Sequence, residues 1–226
     1  MGKPYRLVVF DWEGTLSDTL GQIFSSVAEE ARRLQFGELD EQSARQSVEL
    51  GLAMAVKKAF PHLNDQQHEQ LLLAVHHSLV SRTSDVHLIP GARELAEQIH
   101  QAGIGLAIAS NKGQQSLQRV LHACELSDLF KVTRSAGQIP AKPCPQMLEE
   151  ILTEFDVRAE ETLMVGDSIY DIEMARNIGV DAVGVDFYHQ QEVALRAAGA
   201  LEVFDDYKQL AEYLQLPEKE ERNSSE

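Results

Sequence analysis

Four short apolar runs recur along the chain, each stopping on a polar residue: residues 5–12 (YRLVVFDW), 104–110 (IGLAIAS), 161–167 (ETLMVGD) and 181–186 (DAVGVD). Weaker examples occupy 130–135 and 201–206. Runs of this length that are apolar throughout, rather than alternating, are the pattern of strands buried on both faces, as in a parallel sheet. Helical patterns separate them, at residues 91–102, 113–123, 145–155, 169–178, 190–198 and 207–214. Strands alternating with helices of that length predict βαβ units and a mostly parallel sheet covered on both sides. The fold class expected is therefore α/β, a Rossmann-like three-layer domain.

One stretch breaks the alternation. Between Asp18 and Asp85 no strand pattern occurs, and amphipathic helices are expected at about 19–35, 41–58 and 65–84, the middle one broken near Gly51. An all-helical block inserted after the first strand reads as a small cap. The organisation expected is a core from residues 1–17 and 86–216, a helical cap from 18–85, and a flexible acidic tail over 217–226, frayed as chain ends commonly are.

Charge excludes some classes of partner. With 36 Asp and Glu against 20 Lys and Arg, the formal net charge is −16. Phosphate backbones and anionic membranes are bound by clustered Lys and Arg, so neither a nucleic acid nor a membrane is expected as a partner. No run approaches the ~20 apolar residues of a bilayer span, and the N-terminus lacks the pattern of a secretory signal. Met1-Gly2 does not signal myristoylation, because Arg6 stands where Ser or Thr is required. Cys124 and Cys144 lie in unrelated contexts and are expected as reduced thiols of a cytoplasmic protein. Oligomeric state is left open.

In open parallel sheets ligands sit outside the carboxyl ends of the strands. The first strand delivers Asp11, Glu13, Gly14 and Thr15 to that edge, the next Ser110, Asn111 and Lys112, a later loop Lys142, and another strand Asp167 followed by Asp171. Singly, each has an ordinary use: Asp11 as a turn former, Ser110 as a helix cap, Lys142 as a solvated loop lysine, Asp167 or Ser168 as a cap. Together they make a chemically coherent set. A carboxylate such as Asp11 can attack phosphorus. Hard oxygen ligands such as Asp11 and Asp167 suit Mg²⁺, which screens the repulsion between carboxylate and phosphate. A hydroxyl, an ammonium and backbone N–H groups at a Gly-containing turn can hold the phosphate oxygens. A second carboxyl two residues on, at Glu13, can serve as acid and then base.

These residues carry a family resemblance. Asp11-Trp12-Glu13-Gly14-Thr15, Ser110-Asn111, Lys142-Pro143 and Gly166-Asp167-Ser168-Ile169-Tyr170-Asp171 resemble, in that order, the four motifs of the haloacid dehalogenase-like hydrolases. The likeness is to the phosphoglycolate phosphatase and β-phosphoglucomutase type with a helical cap. The resemblance spans about residues 6–185. It implies a Mg²⁺-dependent phosphatase acting on a small phosphorylated metabolite through an aspartyl-phosphate. Asp11 would be nucleophile and metal ligand. Glu13 would bind the metal by its carbonyl and act as acid/base by its side chain. Asp167 and Asp171 would complete the metal site. Ser110 and Lys142 would serve catalysis by binding phosphate, with Gly14, Thr15 and Asn111 beside them.

The chain departs from the family pattern at position 13, where Glu replaces Asp. The extra methylene moves the carboxyl by about 1.5 Å, and placement errors near 1 Å can lose roughly 10²-fold in rate. Three outcomes stay open: Glu13 works with a shifted substrate, turnover is weak, or the fold persists as a non-catalytic binding protein. Asp-Trp-x-Gly-Thr is also similar to the phosphonoacetaldehyde hydrolases, which cleave a C–P bond with a cap lysine as Schiff base. Lys57 and Lys58 are the candidate amines, weighed against an ordinary solvated helix face. His68, His76, His77 and His87 do not match a zinc motif. Gly51 is either a helix break or part of a substrate-facing loop.

Overall fold

The computed structural model describes residues 5–40, 43–44, 47, 52–81, 86–137 and 139–217. Two compact units result, Met1–Ser17 with Leu88–Glu226, and Asp18–His87. The second unit runs two residues beyond the boundary read from the sequence, to His87. Gly51, read as a helix break or substrate-facing loop, and residues 218–226 of the tail lie outside the described residues.

In the larger unit the strands are β1 (Leu7–Phe10), β2 (Gly105–Ser110), β3 (Val132–Ser135), β4 (Thr162–Gly166), β5 (Asp181–Val185) and β6 (Val203–Phe204). Its helices are α4 (Ala92–Gln101), α5 (Gln114–Ala123), α6 (Gln146–Phe155), α7 (Ile169–Arg176), α8 (Glu192–Ala198) and α9 (Tyr207–Tyr213). The smaller unit contributes α1 (Thr19–Arg33), α2 (Leu52–Ala59) and α3 (Asp65–Ser81). The helix expected over 41–58 is seen from Leu52 to Ala59, most of its first half lying outside the described residues.

All pairings are parallel, in the order β3-β2-β1-β4-β5-β6. β1 is central and fully buried. Its period-2 alternation sorts its side chains to two layers. Leu7 and Val9 share a core with Met147, Leu148 and Ile151 of α6, Ile172, Met174 and Ala175 of α7, and Leu195 of α8. Phe10, of opposite parity, meets Phe130 edge-on at 6.1 Å. Burying each such side chain stabilises the fold by about 1.5–3 kcal/mol. This is the three-layer α/β architecture expected from the runs. β1, β3 and β6 are shorter than the runs read for them, and β3 and β6 are the edge strands of the sheet.

The inserted unit has its own core, made by Phe24, Val27 and Ala31 of α1, Val56 and Ala59 of α2, Phe60, Leu63, and Leu71 and Val75 of α3. The Asp18 side chain caps α1 by accepting the Gly21 N–H at 2.8 Å, which satisfies one of the orphan donors of a helix start. Among the described residues no helix is long and apolar enough to cross a membrane.

Candidate active site

The chain leaves β1 for β2 and β3 on one side, then returns for β4, β5 and β6 on the other. The crevice outside the carboxyl ends of β1, β2 and β4 is therefore a topological switch point. Register sets what lies there. Phe10 pairs with Ile108 on β2 and Val165 on β4, so Asp11 emerges beside Ser110 and the Gly166-Asp167 step. The Asp11 N–H donates to Val165 O at 2.9 Å.

Lys142, from the loop after β3, is buried in the middle of this edge. Its Nζ lies 2.5 Å from Asp11 Oδ1 and 2.6 Å from Asp171 Oδ1. Asp171 is fully buried, and its other oxygen accepts the Ser168 hydroxyl at 2.7 Å and the Ser168 N–H at 3.1 Å. Asp11, Asp167 and Asp171 each place one carboxylate oxygen within 4.8 Å of the others.

Two glycines make room for these carboxylates. Gly14 has φ +78°, and a Cβ there would meet Asp167 Oδ2 at 2.1 Å. A Cβ on Gly166 would meet the Asp171 carboxyl carbon at 2.3 Å. The Gly14 N–H is taken by Ser17 O at 2.9 Å, so what Gly14 contributes here is its backbone shape. Thr15 is fully buried and its hydroxyl donates to Asp167 Oδ1 at 3.3 Å. Ser110 is buried and its Oγ accepts the Lys112 N–H at 3.2 Å, which leaves its proton to donate elsewhere. The Asn111 Oδ1 accepts the Lys142 N–H at 2.9 Å. That side chain thus holds the loop carrying the lysine, a role distinct from the phosphate contact expected of it. Lys142-Pro143 is a cis peptide.

The electrostatics follow from crowding. Burial lifts Asp11 to about 6, with Lys142 pulling it down and Asp171 pushing it up. Burial, then the charges of Asp11 and Asp171, lift Asp167 to about 8. Lys142 is raised: burial opposes its charge, and the two carboxylates outweigh burial. Three carboxylates (−3) and one ammonium (+1) leave −2 when all are ionised. A site of hard oxygen donors, two of them reluctant to ionise together, fits a divalent cation. Asp11 and Asp167 are the freer ligands, because protein donors already take three acceptor positions on Asp171.

Glu13 lies outside this cluster. Its exposed carboxylate pairs with Lys112 Nζ at 3.0 Å. Sequence reasoning brought Lys112 to this edge beside Ser110 and Asn111 and missed its part in the site. It also missed Tyr207, a buried residue whose hydroxyl donates to the Thr15 carbonyl. Burial first, then the Asp167 and Asp11 charges, keep that phenol protonated.

In the smaller unit Lys57 and Lys58 are exposed on α2, and Lys57 pairs with Asp65 at 2.8 Å. His76, His77 and His87 are exposed, and His68 is buried with Nε2 3.0 Å from Phe60 O. Among the described residues no metal-competent cluster includes a histidine. Cys124 and Cys144 are free.

Comparison with known proteins identifies the family. The family of haloacid dehalogenase-like hydrolases matches residues 8–185. The phosphoglycolate phosphatase of Rhodospirillum rubrum is 28% identical over 223 residues, covering 94% of this chain and 92% of that one. Its counterpart in Vibrio vulnificus is 27% identical over 219 residues, covering 92% and 95%. Among solved structures, a HAD family hydrolase from Deinococcus radiodurans with bound phosphate and sodium superposes with TM-score 0.71 at 20% identity, covering 96% of this chain and all of that one. CbbY from Rhodobacter sphaeroides in complex with phosphate gives 0.60 at 21%, covering 94% and 100%. The motifs, the parallel sheet and the matched span lead to one assignment: the chain belongs to the haloacid dehalogenase-like hydrolase family, as a phosphoric monoester hydrolase akin to the phosphoglycolate phosphatases.

Proposed function

We propose that the chain is a Mg²⁺-dependent phosphatase of a small phosphorylated metabolite, phosphoglycolate first among candidates, working through an aspartyl-phosphate on Asp11. One observation carries the reading: Lys142 bridges Asp11 and Asp171 at 2.5 and 2.6 Å while Asp167 closes the cluster. A purely structural ion pair has no need of a third crowded carboxylate, and its net −2 is the deficit a divalent cation fills. Kinship with named phosphoglycolate phosphatases, at 27–28% identity, supports the substrate.

Asp11 and Asp167 would hold the cation, helped by the Glu13 carbonyl and by Asp171. Bound there, it supplies charge screening between carboxylate and phosphate. The Asp11 carboxylate attacks phosphorus, and the ester P–O bond breaks. Glu13, as the acid, gives its proton to the departing alkoxide oxygen. Glu13, now a carboxylate, then takes a proton from water, which attacks the same phosphorus and returns Asp11 with release of inorganic phosphate. Ser110 has a free hydroxyl proton for a phosphate oxygen. Lys142 has three donors and spends two on carboxylates, which leaves one.

The C–P cleavage reading is less well supported. A Schiff-base lysine needs burial or a neighbouring cation to lower its pKa. Lys57 and Lys58 are exposed on their own unit, and Lys57 faces an anion.

The test is phosphate release from a panel of small monoesters including phosphoglycolate, with phosphonoacetaldehyde alongside, in Mg²⁺ and in chelator. Mg²⁺-dependent release from a monoester is expected. No release above the chelated control from any monoester contradicts the reading. Acetaldehyde formation with a borohydride-trapped imine on Lys57 or Lys58 establishes the alternative.

A further inference from the structure

Position 13 carries the side chain that departs from the family pattern, and Lys112 Nζ donates to its Oε1 at 3.0 Å. We propose that Lys112 is the positioning residue of the acid/base: it holds the longer Glu13 side chain in one place, offsetting the reach error that the extra methylene introduces. This rests on the phosphatase reading above and adds to it a residue that neither the motifs nor the kinship assigns.

The geometry is specific. Lys112 stands between the end of β2 and the start of α5, two residues after Ser110. Its N–H donates to Ser110 Oγ at 3.2 Å while its ammonium reaches the loop that follows β1. The segment is fixed from below as well, since Gln114 is held by Thr133 at 3.0 Å and by Ser135 at 2.9 Å. One residue thus ties the phosphate-holding hydroxyl to the acid/base carboxylate. Lys112 is itself three-quarters buried, whereas the Glu13 side chain is 49% exposed, so the lysine is the better ordered of the pair. A glutamate has several open rotamers and loses much freedom when fixed; without a tether its carboxyl would be spread over positions farther apart than catalysis tolerates. An aspartate at position 13 would be shorter by about 1.5 Å, which takes its carboxylate out of hydrogen-bond range of this ammonium.

A double-mutant cycle on kcat and KM tests the proposal. Lys112→Met in the wild-type chain is expected to lower kcat about tenfold with KM changed less than about twofold, within the range set by angstrom-scale misplacement. Lys112→Arg is expected to recover most of the loss. In the Glu13→Asp chain, Lys112→Met is expected to change kcat by less than about twofold, because no pair remains to break. Equal kcat losses in both backgrounds, or a rise confined to KM, would overturn the proposal by making Lys112 a substrate contact. Should the wild-type chain hydrolyse no monoester, that failure belongs to the phosphatase reading. The pair is then judged by NMR of the Lys112 ammonium. A resonance shifted by Glu13→Gln supports the tether, and an unmoved one removes it.

Discussion

Gly14 and Asp167 occupy space that admits no methyl between them: a Cβ on Gly14 would lie 2.1 Å from Asp167 Oδ2. Gly14 also sits at φ +78°, where an L side chain is strained by about 1–3 kcal/mol. Gly14→Ala is therefore expected to displace the Asp167 carboxylate as well as destabilise the fold. Thermal unfolding should report the lost stability, and calorimetric Mg²⁺ titration a weakened affinity. An alanine variant with both values unchanged would contradict this placement of Asp167.

Lys142 is a buried cation between two buried carboxylates. Removing one partner of such a network strands the remaining charges, at a cost of about 3–5 kcal/mol. Lys142→Met is expected to lose about that much stability in chelator near neutral pH. The loss should shrink on acidification, as Asp11, lifted by burial to about 6, takes up a proton instead. Denaturant unfolding at two pH values checks it, and an unchanged midpoint would count against the bridge.

The sequence made some of this site legible and not the rest. Asp11, Ser110, Lys142 and Asp167 could be found because each closes or follows an apolar run, and parallel strands deliver their ends to one edge. What Lys142 bonds to was not legible, since two loops and the first turn of α7 set its distances. The carboxamide of Asn111 turned out to hold the Lys142 loop, a partner 31 residues away. Ser168 and Asp171 share the spacing of a capping box, so the bonds between them were readable in principle. Tyr207 was visible as a helix start only; its reach to Thr15 depends on how α9 packs. Strand limits were read to within one residue for β2, β4 and β5, whereas the apolar runs of β1, β3 and β6 reach two residues past the strand at one end or both, because apolar composition continues where the ladder has stopped.

Protons and a cation compete for the same carboxylates. Asp167 is lifted to about 8 and Asp11 to about 6, burial first among the causes. A carboxylate raised in the folded state stabilises the fold only while protonated, so its contribution is lost as pH rises from the ordinary range through its folded value. The metal-free protein should accordingly lose stability from this source between about pH 4 and 8. Mg²⁺ affinity should rise about tenfold per pH unit between about pH 6 and 8, where one proton is displaced, and flatten above it. Titrations at pH 6, 7, 8 and 9 check the slope. Affinity independent of pH would mean that Asp167 is already ionised.

The central claim is that Asp11 becomes phosphorylated during turnover. The direct measurement is a rapid acid quench with phosphate-labelled substrate and Mg²⁺, followed by borohydride reduction and peptide mass spectrometry. The account predicts label bound to the chain within the first turnover, and conversion of residue 11 to homoserine on reduction, both absent in chelator and in Asp11→Asn. Steady phosphate release by Asp11→Asn at the wild-type rate, or label carried by a different residue, would contradict it.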